Sequence, residues 1–315
     1  MCPVQYHTHS GGDSGPILEI MARHIGLGTG VVYYVWNQGS DDEGGLDPDN
    51  PLATIQAAID KCRANKNDYI YVLDHWAEAN LPIEVNKEHV HIIAVGTEGL
   101  RTVLTAGDTD ACIFDISGSG LYAEIAGFNL GGGNSKPCIG LNVSCGVWIH
   151  HNRLGHPYGA DTPLYGIGDT GAGNNTESLI EDNIFYGDNI GGGTITSNGI
   201  CLEKGATASK WDRSIIRRNT FLGLVGATRA GAILLDGATG VNILDNKFHV
   251  PDTAHGDAIN LIDVCNGCLI DGNRAAHGRS TIENTYNPFR DLNTVDRNAW
   301  GDNRYNGVQR DPIAT

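Results

Sequence analysis

Three groups of side chains have the types that acid–base, metal or thiol chemistry requires. Four carboxylates, Glu203, Asp236, Asp257 and Asp263, stand near the ends of short apolar stretches. Hydrolysis of a glycosidic bond needs two carboxyls roughly 5 to 9.5 Å apart across a groove. Asp also suits turns, and turn duty accounts for these positions more simply than a cleft does. His7 and His9 form a His-x-His pair near the N-terminus. Residues two apart on an extended chain point the same way, so three chains meeting on an axis would surround one transition-metal ion with imidazoles. Two polar residues in an arm are the plainer account. Cys265 and Cys268 make one CxxC, and no second pair at zinc-ligand spacing follows it. GLGTG (26–30) and GGGNS (131–135) are glycine turns without a following phosphate-binding helix. No catalytic residue and no cofactor is expected, and His7 and His9 are the metal candidates.

The elements that would position such groups are announced by an imperfect repeat. GVWIHHNRL (146–154), ESLIEDNIF (177–185), RSIIRRNTF (213–221), GVNILDNKF (240–248) and GCLIDGNRA (267–275) align on Asn152, Asn183, Asn219, Asn246 and Asn273. An Ile stands three positions before each Asn, and Leu154, Phe185, Phe221, Phe248 or Ala275 two positions after it. The spacings of 31, 36, 27 and 27 residues suit one coil of a three-faced solenoid with side loops of variable length. Between the repeats lie IGLNV (139–143), GICLEKG (199–205), GAILLDG (231–237) and DAINLID (257–263), whose alternation reads as a second set of short strands. The repeated Asn tolerates the left-handed backbone of a sharp corner, and its amide can bond to the Asn one coil above and below. One position earlier stand His151, Asp182, Arg218, Asp245 and Gly272, so opposite charges fall on neighbouring coils and predict a solvated salt ladder.

Earlier coils are more degenerate: NDYIYVL (67–73), HVHIIAVG (89–96), ACIFDIS (111–117) and AEIAGFNLGG (123–132), with Phe128 in the place of the ladder Asn. A solenoid must cover its open end, and DNPLATIQAAIDKCRA (49–64) suits that task. Asp49 or Asn50 can cap, Pro51 fits a first turn, and Ile55, Ala58, Ile59 and Cys62 recur at helical spacing. The expected fold is an all-β, single-stranded right-handed parallel β-helix with an N-terminal capping α-helix over 51–63. The expected divisions are an N-terminal arm (1–30), a β-helix domain (31–285) and a C-terminal arm (286–315).

Composition supports this. Glycine supplies 43 of 315 residues, about twice the usual share, as frequent tight turns require. A net charge of −16 argues against nucleic acid as a partner. No apolar run approaches a membrane span, and the N-terminus lacks the charged and apolar regions of a signal peptide. The expectation is synthesis in the cytoplasm, with the eight cysteines reduced and buried rather than paired.

Residues 31–96 resemble a group of phage-encoded β-helix proteins. The resemblance rests on the YYV strand at Tyr33 to Val35, a Gly-Ser-Asp loop at Gly39 to Asp41, the helix segment from Pro51 to Ile59, and an IYVL strand at Ile70 to Leu73 followed by Glu78. The turn after that strand departs from the group's Pro-Gly-His and reads Asp74-His75-Trp76. The resemblance implies a virion protein, either a capsid decoration (cement) knob or a tail spike or fibre domain, and commonly a homotrimer. The expected partner is the phage major capsid protein, with host glycan as the partner in the spike reading. Val147-Trp148-Ile149-His150-His151 is also similar to a Val-Trp-Ile-Asp-His strand of pectate lyases, but His150 replaces the Asp and no Arg-x-Pro-x-x-Arg segment is present. The chain is therefore expected to be structural rather than an enzyme.

Overall fold

The computed structural model describes residues 30–73, 78, 80–95, 103–105, 110–118, 120–131, 136–155, 163–169, 175–187, 198–202, 211–223, 231–250, 257–277, 288–293 and 298–314. Candidates His7, His9 and Glu203, and the segment Asp74 to Trp76, lie outside them.

Strand pairing makes three long sheets. Sheet A has ten strands, from Val32–Val35 to Ala299–Trp300. Sheet B has nine, from Ile83–Val85 to Ile313–Ala314, and sheet C nine, from Val103–Thr105 to Val308–Gln309. One coil passes through B, A and C in turn: Pro137–Asn142, Trp148–His150 and Arg153–Leu154, then Tyr165–Asp169, Leu179–Glu181 and Ile184–Tyr186. Each strand pairs in parallel with the equivalent strand of the next coil. This is an all-β parallel solenoid. No described helix is long and apolar enough to cross a membrane.

The interior is built of columns of like side chains. Ile70, Ile92, Ile125, Ile149, Ile180, Ile216, Ile243 and Ile270 stack in register through sheet A, each fully buried. Phe185, Phe221 and Phe248 stack in sheet C with ring centroids 4.6 and 4.9 Å apart. Identical shapes one strand spacing apart leave few voids, and close packing maximises dispersion contacts.

The corner between sheets A and C carries the asparagines. The side-chain oxygen of Asn183 accepts the backbone N–H of Asn152 at 3.0 Å and its amide N–H at 3.1 Å. The same pair of bonds recurs from Asn183 to Asn219, Asn219 to Asn246 and Asn246 to Asn273. Each amide nitrogen also donates to an Ile carbonyl of the coil before, as Asn219 does to Ile180. At the head of the row, Phe128 donates its backbone N–H to Asn152.

Three expectations need correction. The left-handed backbone at this corner belongs to the residue before the Asn: His151, Asp182, Arg218 and Asp245 have φ of 54 to 55°, and Gly127 and Gly272 φ of 83° and 69°. The Asn keeps ordinary dihedrals because its side chain must point inward to reach both neighbouring coils. At Gly272 a Cβ would also meet the Asp245 carboxylate at 2.3 Å, so a side chain there is doubly disfavoured.

The helix runs only from Ile55 to Lys61, with Thr54 as its cap accepting the N–H of Ala57. Residues 51–53 do not join it because Leu52 bridges to Val35 and the Asp41 carboxylate takes the N–H groups of Ala53 and Thr54. Glu78 accepts the Ile55 N–H at 2.6 Å, which gives the acidic residue after the IYVL strand a capping role.

The segment 286–315, expected as an arm without a coil, carries strands of all three sheets. Phe289–Asn293 joins sheet B, Ala299–Trp300 sheet A and Arg304–Tyr305 sheet C. Trp300 pairs with Ile270 and Tyr305 with Ala275, while Asn303 adds a sixth rung by accepting from Asn273. Aromatic residues at the aliphatic positions hide the repeat in the sequence. Val308–Gln309 then turns back antiparallel on Arg304–Tyr305, covering the last edge of sheet C.

Candidate functional site

The described candidate carboxylates are not gathered in one cleft. Asp257 and Asp263 begin and end one seven-residue strand, roughly 20 Å apart at strand rise. Asp236 pairs with Ile262, next to Asp263. Asp257 lies 2.7 Å from Arg290 and is 8% exposed. Burial pushes its pKa up to about 6, against the opposing charge of Arg290. Cys265 and Cys268 are buried and donate to backbone carbonyls. Burial pushes the Cys265 thiol up to about 12 and raises Cys268 as well, which leaves both as packed thiols rather than thiolates.

A different cluster forms on the outer flank of sheet A, where coils from the first to the second half of the chain meet. Alternation turns Val147 and Ile149 inward and leaves Trp148, 38% exposed, and His150 outward. Strand pairing places Trp148 beside Glu124, Glu124 beside His91, and His150 between Ala126 and Glu181. Glu124 accepts hydrogen bonds from His91 Nδ1 at 2.6 Å and His150 Nε2 at 2.7 Å. Burial alone would push its carboxyl up, but the bonds from the two imidazoles outweigh it and hold the pKa at about 2. His150 Nδ1 in turn lies 2.7 Å from His151 Nδ1.

On the next coils, Glu181 accepts from Trp148 Nε1 at 3.0 Å and from Arg217 at 2.7 Å, and also from Arg218. Arg218 makes a two-pronged contact with Asp182 at 3.0 and 2.7 Å. The hydrogen bonds of Arg218 hold the Asp182 carboxyl below its usual range. Rings sandwich the cluster: Tyr69 stacks on His91 at 4.4 Å and Trp148 on His150 at 3.9 Å.

The repeat exposes one edge of this cluster, because His151, Asp182 and Arg218 share a corner column. It hides the rest. Glu124 and His91 belong to degenerate coils that lack the ladder Asn, and they lie 26 and 59 residues from His150. Chemically the flank offers an ionised carboxylate between two imidazoles, an exposed indole, and two arginines bound to neighbouring carboxylates.

No protein-family model and no curated protein matches the sequence. Among solved structures the chain is similar to an alginate lyase from Paenibacillus sp. str. FPU-7, at 12% identity and a TM-score of 0.45 over 82% of this chain and 94% of that one. It is similar to ORF18 of Geobacillus virus E2, at 13% identity and a TM-score of 0.36 over 97% and 66% of the two chains. It is also similar to the Dettilon tailspike protein, at 12% identity and a TM-score of 0.32 over 93% and 70%. These likenesses concern the general course of the chain and carry no site residue across. By its own strand pairing the chain is a parallel β-helix.

Proposed function

We propose that this chain is a structural protein of a bacteriophage particle, and in finer terms a capsid decoration or cement protein. In this reading it forms a homotrimer on the major capsid protein, adds buried interface between capsomers and opposes expansion of the shell. One observation carries the reading: the asparagines of the corner and the carboxylates of the sheet A flank are bonded within the chain. The asparagine corner is bonded rung to rung, and the described flank carboxylates Glu124, Glu181 and Asp182 are each held by partners of this same chain. A carboxyl held at about 2 is ionised at neutral pH and does not serve as a general acid. Such an arrangement stiffens a rod. The resemblance of 31–96 to phage β-helix proteins agrees with it.

The test is location and copy number on purified particles. Many copies spread over the capsid faces, together with shells that burst more readily when the protein is stripped, are the expected result. A few copies confined to the tail would overturn the cement role.

The exposed indole of Trp148 beside carboxylates and arginines favours a second reading, a spike that binds host polysaccharide, because sugar faces stack on aromatic rings. Binding to host glycans that is lost in Trp148→Ala is its expected signature, and wild-type binding unaffected by that change would exclude this flank as the glycan site.

A further inference from the structure

We propose that the outer face of sheet A binds a second copy of this chain, turned end for end, across the line between strands Leu179–Glu181 and Ile215–Arg217. The two coils read ESLIEDN (177–183) and RSIIRRN (213–219). Where the first presents an acid outward, the second presents an arginine. Glu177 stands over Arg213, Glu181 over Arg217 and Asp182 over Arg218, with Leu179 over Ile215 between them. The acids thus form one row across the sheet and the arginines another, about 4.8 Å apart at strand spacing. Pairing within the chain does not use the arginines up. Arg217 gives Glu181 only its Nε–H out of five N–H donors, and the side chains of Arg213 and Arg217 are 64% and 37% exposed.

A row of acids beside a row of arginines is its own complement about a two-fold axis that runs along the strands, midway between the two coils. That axis lays the acid row of each copy on the arginine row of the other. Every charge then has opposite charges both beside it and across from it, a network rather than an isolated exposed pair. One coil further out, Trp148 faces Asn242 of the second copy, and the corner residue His151 faces Asp245. One coil beyond that, Glu124 faces Leu269. On this face of these six coils no like charges meet. Other arrangements fail on the same residues. Copies pointing the same way set Glu177 against Asp182 and Arg213 against Arg218, so a parallel trimer uses another face. A slip of one coil lays the acid row, or the arginine row, on its own copy. Charge therefore fixes direction and register, while Trp148 and the half-buried Leu179 and Ile215 supply apolar area at the centre. The contact does not rest on the virion reading. It covers the Trp148 indole, so a glycan there and the second copy exclude each other.

Sedimentation velocity and energy transfer between differently labelled full chains test this. The wild type is expected to form an assembly with an even number of chains. Glu177→Arg sets like charges together within and between copies and should halve the mass of that assembly. Adding Arg213→Glu restores the pair inside the chain and between two variant chains, so the double variant should associate again, with thermal unfolding as its folding control. Mixed with wild type, the double variant puts acid on acid and arginine on arginine. Transfer between the two proteins should therefore show about tenfold weaker affinity than within either one. The proposal is overturned if the wild type stays monomeric at its highest soluble concentration, if Glu177→Arg leaves the mass unchanged, or if the double variant pairs with wild type as readily as with itself. Location on particles, which decides the virion reading, has no bearing on these outcomes.

Discussion

Glu124 on sheet A and Asp257 on sheet B are equally hidden, each 8% exposed, yet their carboxyls lie on opposite sides of the ordinary range, at about 2 and about 6. Burial pushes both up. The difference is what faces them. Glu124 receives two aligned N–H donors. Asp257 has one partner, Arg290 at 2.7 Å, whose charge and side-chain hydrogen bond pull its carboxyl down without outweighing burial. A single charged partner does not offset desolvation here, whereas two directed donors more than do so.

The neutral limit of this comparison predicts the largest effect. Asn219 is fully buried and bonds to both neighbouring coils. Asn219→Ala strands two donors of Asn183 and the Ile180 carbonyl in a dry corner, where each orphaned group costs about 1 to 3 kcal/mol. A loss of about 4 kcal/mol in urea unfolding is expected, and a loss below about 1 kcal/mol would mean that the ladder is ornament to the apolar stack.

Glu124→Gln comes next. The folded pKa of about 2 lies below the ordinary 4.5, so the carboxylate's contribution is present above about pH 4.5 and vanishes as the pH falls through 2. The shift corresponds to about 3 kcal/mol at neutral pH. Thermal unfolding of wild type and variant should differ most at pH 7 and converge near pH 2; a pH-independent difference would mean that packing, not charge, is lost.

How far this contrast is legible in the sequence depends on repetition. Ile, Asn and Phe at fixed offsets reveal five coils because each position does the same task five times. The sixth rung is written in the same spacing at Trp300, Asn303 and Tyr305, and is obscured by the change to aromatic residues. The helix is legible as a helix, but its start is not: Asp41, twelve residues before Ala53, decides where the backbone turns helical. The flank cluster is the least legible. Glu124, His91 and His150 become neighbours only through the pairing of coils of which the first two lack the ladder Asn, and a buried carboxylate in one chain segment looks like any acidic residue in another.

Asp257→Asn should move stability the other way. Its folded pKa of about 6 exceeds the ordinary 3.8, so the ionised form costs stability above pH 6, and that cost is relieved as the pH falls from 6 towards 3.8. The amide should stabilise the protein at pH 7 by about 2 kcal/mol, less than the whole shift because Arg290 loses its counter-charge. Wild type and variant should converge near pH 4. Destabilisation at pH 7 would show that the Arg290 pair outweighs desolvation and would erase the contrast with Glu124.

The smallest effect belongs to a carboxylate that has a partner but little burial. Glu177 accepts from Arg213 at 3.2 and 2.9 Å, with side chains 48% and 64% exposed, on neighbouring coils like the buried pairs. Water screens the attraction, and holding two long side chains together costs entropy, so Glu177→Gln should cost no more than about 0.5 kcal/mol, a difference that 1 M salt should remove. The left-handed backbone at position 177, with φ of 56°, is unchanged by the substitution, so strain does not enter. If the loss instead matched that of Glu124→Gln and survived salt, alignment alone would set the strength of these ladders, and burial would have no part in separating Glu124 from Asp257.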